Sequence, residues 1–328
     1  MNLKIKKIIF LSFLLRLIII FLTINILNYD LLSYLKIGKS IGDIYRELAR
    51  FYHPYLPFFL YIERFFVWLG QLFHFNDLQI LIFIKIFINL VDLINIYLVY
   101  LLTNKKIKST LFYAFNPISL LVFSFHGQFD SLPILFLLLT FFFLKKKEKM
   151  SMIFYSISIM IKTWSIIFFF FIFKKLKNKK NILLILIFPL LSVFLYQAIF
   201  KSNLIDILKP IFLYQGVWAI WGISLFFESI RFRYQKLIML VFILFIFSYS
   251  FLKKFFKDFN KEIVNFLLIF FILTPGFSVQ YFSWLMPFLS LIDFPKKNFL
   301  VIIILIWMIG YYYQIIYHSN LVYFPIFI

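Results

Sequence analysis

The chain runs as long apolar stretches separated by short clusters of lysine, and the clusters organise everything between them. Of 34 Lys+Arg residues, 21 fall in six clusters, at 4–7, 105–108, 145–149, 174–180, 253–261 and 296–297, and all 21 are lysine. Short basic loops beside apolar helices stay on the cytoplasmic side of a membrane, so an element flanked by two such clusters crosses an even number of times. The first predicted span, 8–27, leads outward from Lys4, Lys6 and Lys7 and stays as an anchor, because no small-x-small cleavage site follows it. Residues 28–77 then lie outside, with an interfacial helix over 56–73 whose middle carries Glu63 and Arg64.

Spans follow at 78–102, 110–125 and 131–144, the last two joined by the turn His126-Gly127-Gln128-Phe129-Asp130. Segment 150–173 has lysine clusters on both sides and is long enough for only one full span, so it reads as a re-entrant hairpin or two short helices with Lys162 near the tip. Spans at 181–200, 237–252, 263–274, 282–293 and 298–317 complete about eleven passes, with an external stretch over 201–236 and the C-terminus outside. No internal repeat and no linker divides the chain. The expectation is an all-α, polytopic transmembrane protein in which residues 1–328 form a single integral-membrane domain.

Composition agrees with this outline and removes whole classes of function. Hydrophobic residues make up 64% of the 328 and charged residues 14%, with a mean hydropathy of +0.97; a soluble domain has about 45–50% and 25%. The formal net charge of +21 is spent on orienting helices and gives no reason to expect a nucleic-acid partner. With no Cys and only eight Gly, the chain offers no disulfide, thiolate nucleophile, Cys-ligated metal or glycine-rich phosphate loop. His53, His74, His126 and His318 fall on the outer side at spacings that match no zinc template.

The residues outside the clusters are where chemistry could lie. All six arginines are among them, in a chain that otherwise uses lysine, which suits places where a planar fork grips a phosphate; pairing with lipid headgroups is the plainer alternative. Arg231 and Arg233 stand out, because two residues apart on extended backbone they would face one way. Arg16 and Asp92 lie at comparable depth in their spans, about 3 Å apart along the normal, and are expected to form a buried pair. On the outer side Asp30 ends the first span, a position that suits a general base and equally a plain interfacial acid. Asp130 sits at the start of the 131–144 helix, as a site carboxylate or as its N-cap. Lys162, near an apolar hairpin tip, requires an anionic partner, for which a lipid phosphate would serve.

The order of these features resembles the GT-C superfamily of integral-membrane glycosyltransferases, over most of the chain. Asp30-x-x-x-Tyr34-x-x-x-Gly38, Tyr45 and Tyr52-His53-Pro54-x-x-Pro57 look like the family's first external loop. Asn116-Pro117 and His126-Gly127-Gln128-Phe129-Asp130 are similar to the NP and GQxD pattern of the mannosyltransferase branch, and Ile161-Lys162-Thr163-Trp164 to its lysine motif. Tyr214-Gln215-Gly216 with Trp221-Gly222-Ile223, and Thr274-Pro275-Gly276 with Gln280-Tyr281-Phe282-Ser283-Trp284, complete the likeness. The family often carries a carboxylate pair in its first loop; here no second acid precedes Asp43, which leaves a metal-bridged donor phosphate without support.

The resemblance implies inverting transfer of a hexose, mannose as the first guess, from a polyprenyl-phosphate donor to a lipid or glycan acceptor. It places the site on the extracytoplasmic face, and the compactness of the chain, with no N-x-S/T site or retention signal, suits a prokaryotic plasma membrane. Asp30 would take the acceptor's proton, while Arg231, Arg233 and Lys162 would neutralise the departing lipid phosphate. Tyr34, His53, His126, Gln128, Asp130, Trp221 and Gln280 would line the substrate site, and aromatics such as Tyr34, Trp218 and Trp221 could stack on sugar or prenyl groups or serve as simple interfacial residues. No cofactor is required, and no metal-ligand set is present. A lipid-linked oligosaccharide polymerase or ligase, or a flippase or transporter, is the alternative class; a transporter would spread ionisable groups along a midplane path.

Overall fold

The structure, a computed structural model, describes residues 3–47, 53–212, 221–227, 231–253 and 258–317. Among these residues every regular element is helical. In chain order the longer helices are α1 (Leu3–Leu22), α2 (Tyr29–Lys39), α3 (Phe58–Leu72), α4 (Asp77–Leu102), α5 (Ile107–Ala114), α6 (Ser131–Leu144) and α7 (Glu148–Ile161). They continue with α8 (Phe169–Lys175), α9 (Ile187–Phe200), α10 (Leu204–Phe212), α11 (Arg231–Leu252), α12 (Phe259–Leu273), α13 (Tyr281–Ser290) and α14 (Lys297–Tyr317).

Four stretches, Asp77–Leu102, Lys179–Phe200, Arg233–Leu252 and Lys297–Gln314, are helical, long and apolar enough to cross a membrane, which is compatible with a membrane protein. α1 is as long but carries Lys4, Lys6, Lys7 and Arg16, and several other apolar runs fold into shorter or interrupted helices for local reasons. The run over 107–126 is broken at Asn116-Pro117 and finishes as a π-helix, Leu120–His126. Segment 148–175 reverses at Lys162 into the 3-10 turn Thr163–Phe168 and α8, with Tyr155 Oη donating to Ser165 O at 3.0 Å across the reversal. The interfacial helix expected over 56–73 is α3, packed against α2.

The α4 helix is the axis of the core. It carries Lys85, Asn89, Asp92 and Asn95, spaced so that they share one face, and all four are buried. That polar stripe answers a specific need. Proline at 117 has no N–H to give, and the N–H of Ile118 is taken by the side chain of Asn116 at 3.0 Å, so the helix ladder stops there. In an apolar interior each freed carbonyl must find another donor. Ala114 O accepts from Ser12 Oγ and from Arg16, both at 3.0 Å, and Phe123 O of the π-helix accepts from Asn89 at 3.1 Å. Asn95 donates to Ser131 O at 2.9 Å, and Ser131 Oγ returns a bond to Ile88 O at 2.8 Å. Arg16 itself is paired with Asp92 at 2.6 Å, both side chains fully buried, and Tyr113 donates to the other carboxylate oxygen at 2.7 Å.

Chain direction gives the helices two distinct ends. Lys106 lies 3.9 Å from Asp293, Lys174 donates to Ser250 O and Lys253 O at 2.8 Å, and Lys253 pairs with Glu262 at 2.7 Å. The Glu148 carboxylate caps the backbone N–H groups of Lys177 and Asn178, which holds its pKa below the usual carboxylate value. The lysine clusters therefore meet at one end. Residues 126–131, Lys162, Gln280 and Tyr312 lie at the opposite ends of helices that start or finish in those clusters. A smaller cluster of Ile37, Tyr45, Leu60, Tyr196 and Ile207 joins α2, α3, α9 and α10 beside this core.

Removing one member of the buried ion pair tests the core argument. Asp92→Leu strands the Arg16 guanidinium and is expected to cost about 3–5 kcal/mol, whereas Arg16→Leu with Asp92→Leu recovers much of it. Thermal melts of the three variants in detergent read the difference directly; equal melting of Asp92→Leu and wild type would remove the pair from any structural role.

Candidate active site

Asp30 occupies the first turn of α2, where Asn28 is the N-cap and accepts from the Leu31 N–H at 3.0 Å. It does not end the first helix as the sequence suggested: α1 stops at Leu22, and the chain turns before α2 begins. The same Asn28 side chain donates to His126 O at 2.7 Å and so ties the start of α2 to the end of the π-helix. Gly38 allows α2 to lie close on α3, since a Cβ there would meet Glu63 O at 2.9 Å. Gly127 ends the π-helix in the left-handed region at φ 82, turning the chain so that His126 and Gln128 face one carboxylate.

That carboxylate is Asp30. His126 Nε2 lies 2.8 Å from Asp30 Oδ2, and Gln128 Nε2 donates to the same oxygen. Behind the imidazole, Tyr312 Oη of α14 is 3.0 Å from His126 Nδ1. A Tyr312 hydroxyl donating to Nδ1 leaves the ring hydrogen on Nε2, directed at the carboxylate. Tyr34 Oη donates to Gln128 Oε1 at 3.4 Å, and burial pushes its phenol well above the ordinary value, so it remains a donor. No hydrogen bond among the described residues falls on Asp30 Oδ1, and the side chain is 36% exposed. Two donors on one oxygen thus fix the carboxylate while the other oxygen faces the open side.

Asp130, two residues beyond Gln128, is in the opposite situation. It is fully buried, makes no side-chain cap to α6, and accepts from Lys162 Nζ at 2.7 Å on one oxygen and from Trp284 Nε1 at 2.7 Å on the other. The anionic partner that Lys162 needs is therefore this carboxylate rather than a lipid phosphate. Phe129 and Tyr55 cover the ammonium at 4.6 and 5.4 Å from their ring centres, and the indole of Trp284 stacks on Trp164 at 3.8 Å and on Tyr281 at 4.0 Å.

The remaining expected residues lie around these two groups. His53 is buried at 3.3 Å from Glu63, whose carboxyl is raised by burial against the opposing pull of that imidazole; its ring edge meets Tyr55, not Asp30. Gln280 precedes α13 and accepts from Ser278 Oγ. Trp221 donates to Phe271 O at 3.0 Å within an aromatic wall of Phe277, Phe282 and Trp307, rather than standing open for a sugar. Arg231 and Arg233 are not in extended backbone: both belong to the first turn of α11, where positions two apart lie about 200° apart around the axis and do not share a face. Arg233 is exposed and lies over Tyr234, and the side chain of Arg231 lies outside the described residues, as do Trp218, His318 and the segment Tyr214-Gln215-Gly216.

The structure adds Tyr312, Trp284 and Asn28 to the site. Trp284 belongs to a motif visible in the sequence, but Tyr312 sits in a run of three tyrosines, with nothing to mark it as the histidine's partner. Among the described residues no group of three or more His, Asp and Glu side chains could hold a metal ion. Compared with known proteins, the chain matches no family model, no curated protein and no solved structure.

Gly127 is a sensitive backbone position at the site. A side chain there meets Leu31 Cδ2 at 2.8 Å and Lys85 at 3.2 Å in addition to the left-handed strain. Gly127→Ala should destabilise the protein by roughly 1–3 kcal/mol, read as a lowered melting temperature. An unchanged melt would mean that the turn can be rebuilt.

Proposed function

We propose that the chain is a multi-pass membrane glycosyltransferase of the GT-C kind, moving a hexose, with mannose as the first candidate, from a polyprenyl-phosphate donor to a hydroxyl of a lipid or glycan acceptor. The observation that carries this reading is Asp30: a half-exposed carboxylate with one oxygen held by His126 and Gln128 and the other presented, at the end of the helices remote from the lysine clusters. With those clusters in the cytoplasm, about eleven passes, counting the hairpin at Lys162 as two, put Asp30 on the outer face of a prokaryotic plasma membrane.

In this mechanism the acceptor oxygen attacks the anomeric carbon from the face opposite the phosphate. Its proton passes to Asp30 Oδ1 as the new C–O bond forms and the bond to the lipid phosphate breaks, which inverts the configuration. The departing phosphate is an anion needing a cation more than a proton. The cationic start of α11, with Arg231, Arg233 and Lys236, is the assigned place for it, aided by the positive end of the helix. Lys162 acts instead on Asp130, holding the 127–130 turn whose Gln128 grips the base. His53, Trp221 and Gln280 support the walls of this region. Tyr34 and His126 act through Gln128 and the carboxylate.

Two measurements test this. Membranes containing the wild type should transfer radiolabel from polyprenyl-phosphate mannose to endogenous acceptors, and Asp30→Asn at equal expression should lose about 10²–10⁴ of the rate. Equal transfer by both would remove Asp30 as base; no transfer with any polyprenyl-phosphate sugar would favour a transporter or a ligase. Separately, the chain has no Cys, so single cysteines can be placed at will. A membrane-impermeant maleimide should label Asn203→Cys and not Lys147→Cys in intact cells. The reverse pattern would turn the site to the cytoplasm.

A further inference from the structure

Both groups that hold Asp30 are ambivalent. The Gln128 amide could turn its oxygen to the carboxylate instead of its nitrogen, and a neutral His126 ring could carry its hydrogen on Nδ1 and turn a lone pair to Oδ2; either choice sets acceptor against acceptor. A competing bond is also within reach. Gln128 Nε2 lies 3.3 Å from His126 Nε2, so a ring with its hydrogen on Nδ1 could accept the Gln128 hydrogen itself and draw the amide away from Asp30.

Behind each of the two groups stands a buried phenol. Tyr312 Oη of α14 is 3.0 Å from His126 Nδ1, and Tyr34 Oη of α2 is 3.4 Å from Gln128 Oε1. Tyr312 is 6% exposed and Tyr34 4%, and neither hydroxyl makes another hydrogen bond among the described residues. A phenol O–H kept from water needs an acceptor. For Tyr312 that acceptor is Nδ1, which must then be bare, so the ring hydrogen goes to Nε2. For Tyr34 it is the amide oxygen, which leaves the amide nitrogen for Asp30. A second ring hydrogen on Nδ1 would leave the Tyr312 O–H with no acceptor. Apolar packing holds both phenols in place: Tyr312 meets Phe125 at 5.0 Å between ring centres, and Tyr34 stands edge-on to Phe59 and Phe129 at 5.5 and 5.9 Å.

We propose that Tyr34 and Tyr312 are a pair of positioning residues that select the donor ends of Gln128 and His126, so that both hydrogens fall on Asp30 Oδ2 and Oδ1 is left for the substrate hydroxyl. Their effect on rate rests on the transferase reading; the place of the ring hydrogen does not. Because one phenol belongs to α2 and the other to α14, the base is aligned only when both helices are seated on the 126–128 turn.

The test uses the full chain in detergent. Tyr312→Phe and Tyr34→Phe keep the ring packing and remove only the hydroxyl. Each should lower kcat with polyprenyl-phosphate mannose about 10-fold, the worth of one hydrogen bond, and leave KM within about twofold. In a His126→Ala background, which has no Nδ1 to bond, Tyr312→Phe should cost nothing further. Nitrogen NMR of isotope-labelled histidine, with His126 assigned by its loss in His126→Ala, should place the wild-type ring hydrogen on Nε2 at neutral pH and show that preference lost in Tyr312→Phe. A Tyr312→Phe ring that keeps its hydrogen on Nε2 alone would overturn the proposal. So would a raised KM with unchanged kcat, which would put the hydroxyl on the substrate, or a further loss in the His126→Ala background. If Tyr312→Phe does not fold, the wild-type ring decides: hydrogen on Nδ1 rejects the role and hydrogen on Nε2 alone supports it. A wild type that transfers no sugar would remove the transferase reading, and the ring hydrogen would then decide the placement by itself.

Discussion

The break in the helix at Asn116-Pro117 is the constraint on which the rest of this structure depends. A broken ladder in an apolar interior leaves carbonyls that water cannot reach, and the chain must supply donors for each. It does so from two other helices, α1 through Ser12 and Arg16, and α4 through Asn89 and Asn95. Arg16 can serve Ala114 O only because Asp92 neutralises it, and Asp92 is held in place by Tyr113 from the broken segment itself. The packing of α1, α4 and α5 is therefore fixed by polar bookkeeping as much as by apolar contact.

What the break gains is a turn of unusual shape at the far end. The π-helix and Gly127 bring His126, Gln128 and Asp130 out within five residues, and the two carboxylates of the region are then given contrasting surroundings. Asp130 has both oxygens bonded and no exposure, a structural anchor for Lys162 and Trp284. Asp30 has both donors on one oxygen and a share of the surface. Asp130 is thus saturated, while Asp30 keeps an oxygen without a hydrogen bond among the described residues.

Much of this could be read from the residues. Lysine clusters marked the ends of the helices, the depth of Arg16 and Asp92 foretold their pairing, and the hairpin tip at Lys162 followed from a segment long enough for only one span. The conformation of the chain around Arg231 could not be read in that way: charge bias suggested a loop, but the apolar run that follows carries helix back through both arginines. Hydropathy separates 263–274 from 282–293, and the helix is interrupted there: Thr274, Pro275, Gly276 and Gln280 divide α12 from α13. The partner of Lys162 was hidden because both candidates, a phosphate and Asp130, satisfy the same requirement, and only packing decides between them.

Several shorter helices are buried together with the long α4, whereas other long helices lie on the outside. α6, α7, α12 and α13 carry many buried side chains, whereas α11 and α14 present apolar side chains outward along most of their length. Tyr312 reaches His126 from the inward face of α14, so a helix whose outer face is apolar and exposed also fixes the imidazole beside Asp30. The same helix carries Trp307 against Trp221, which joins the support of the carboxylate to the aromatic wall beside it. Outer and inner elements are thus joined beside Asp30 through the contact of Tyr312 with His126.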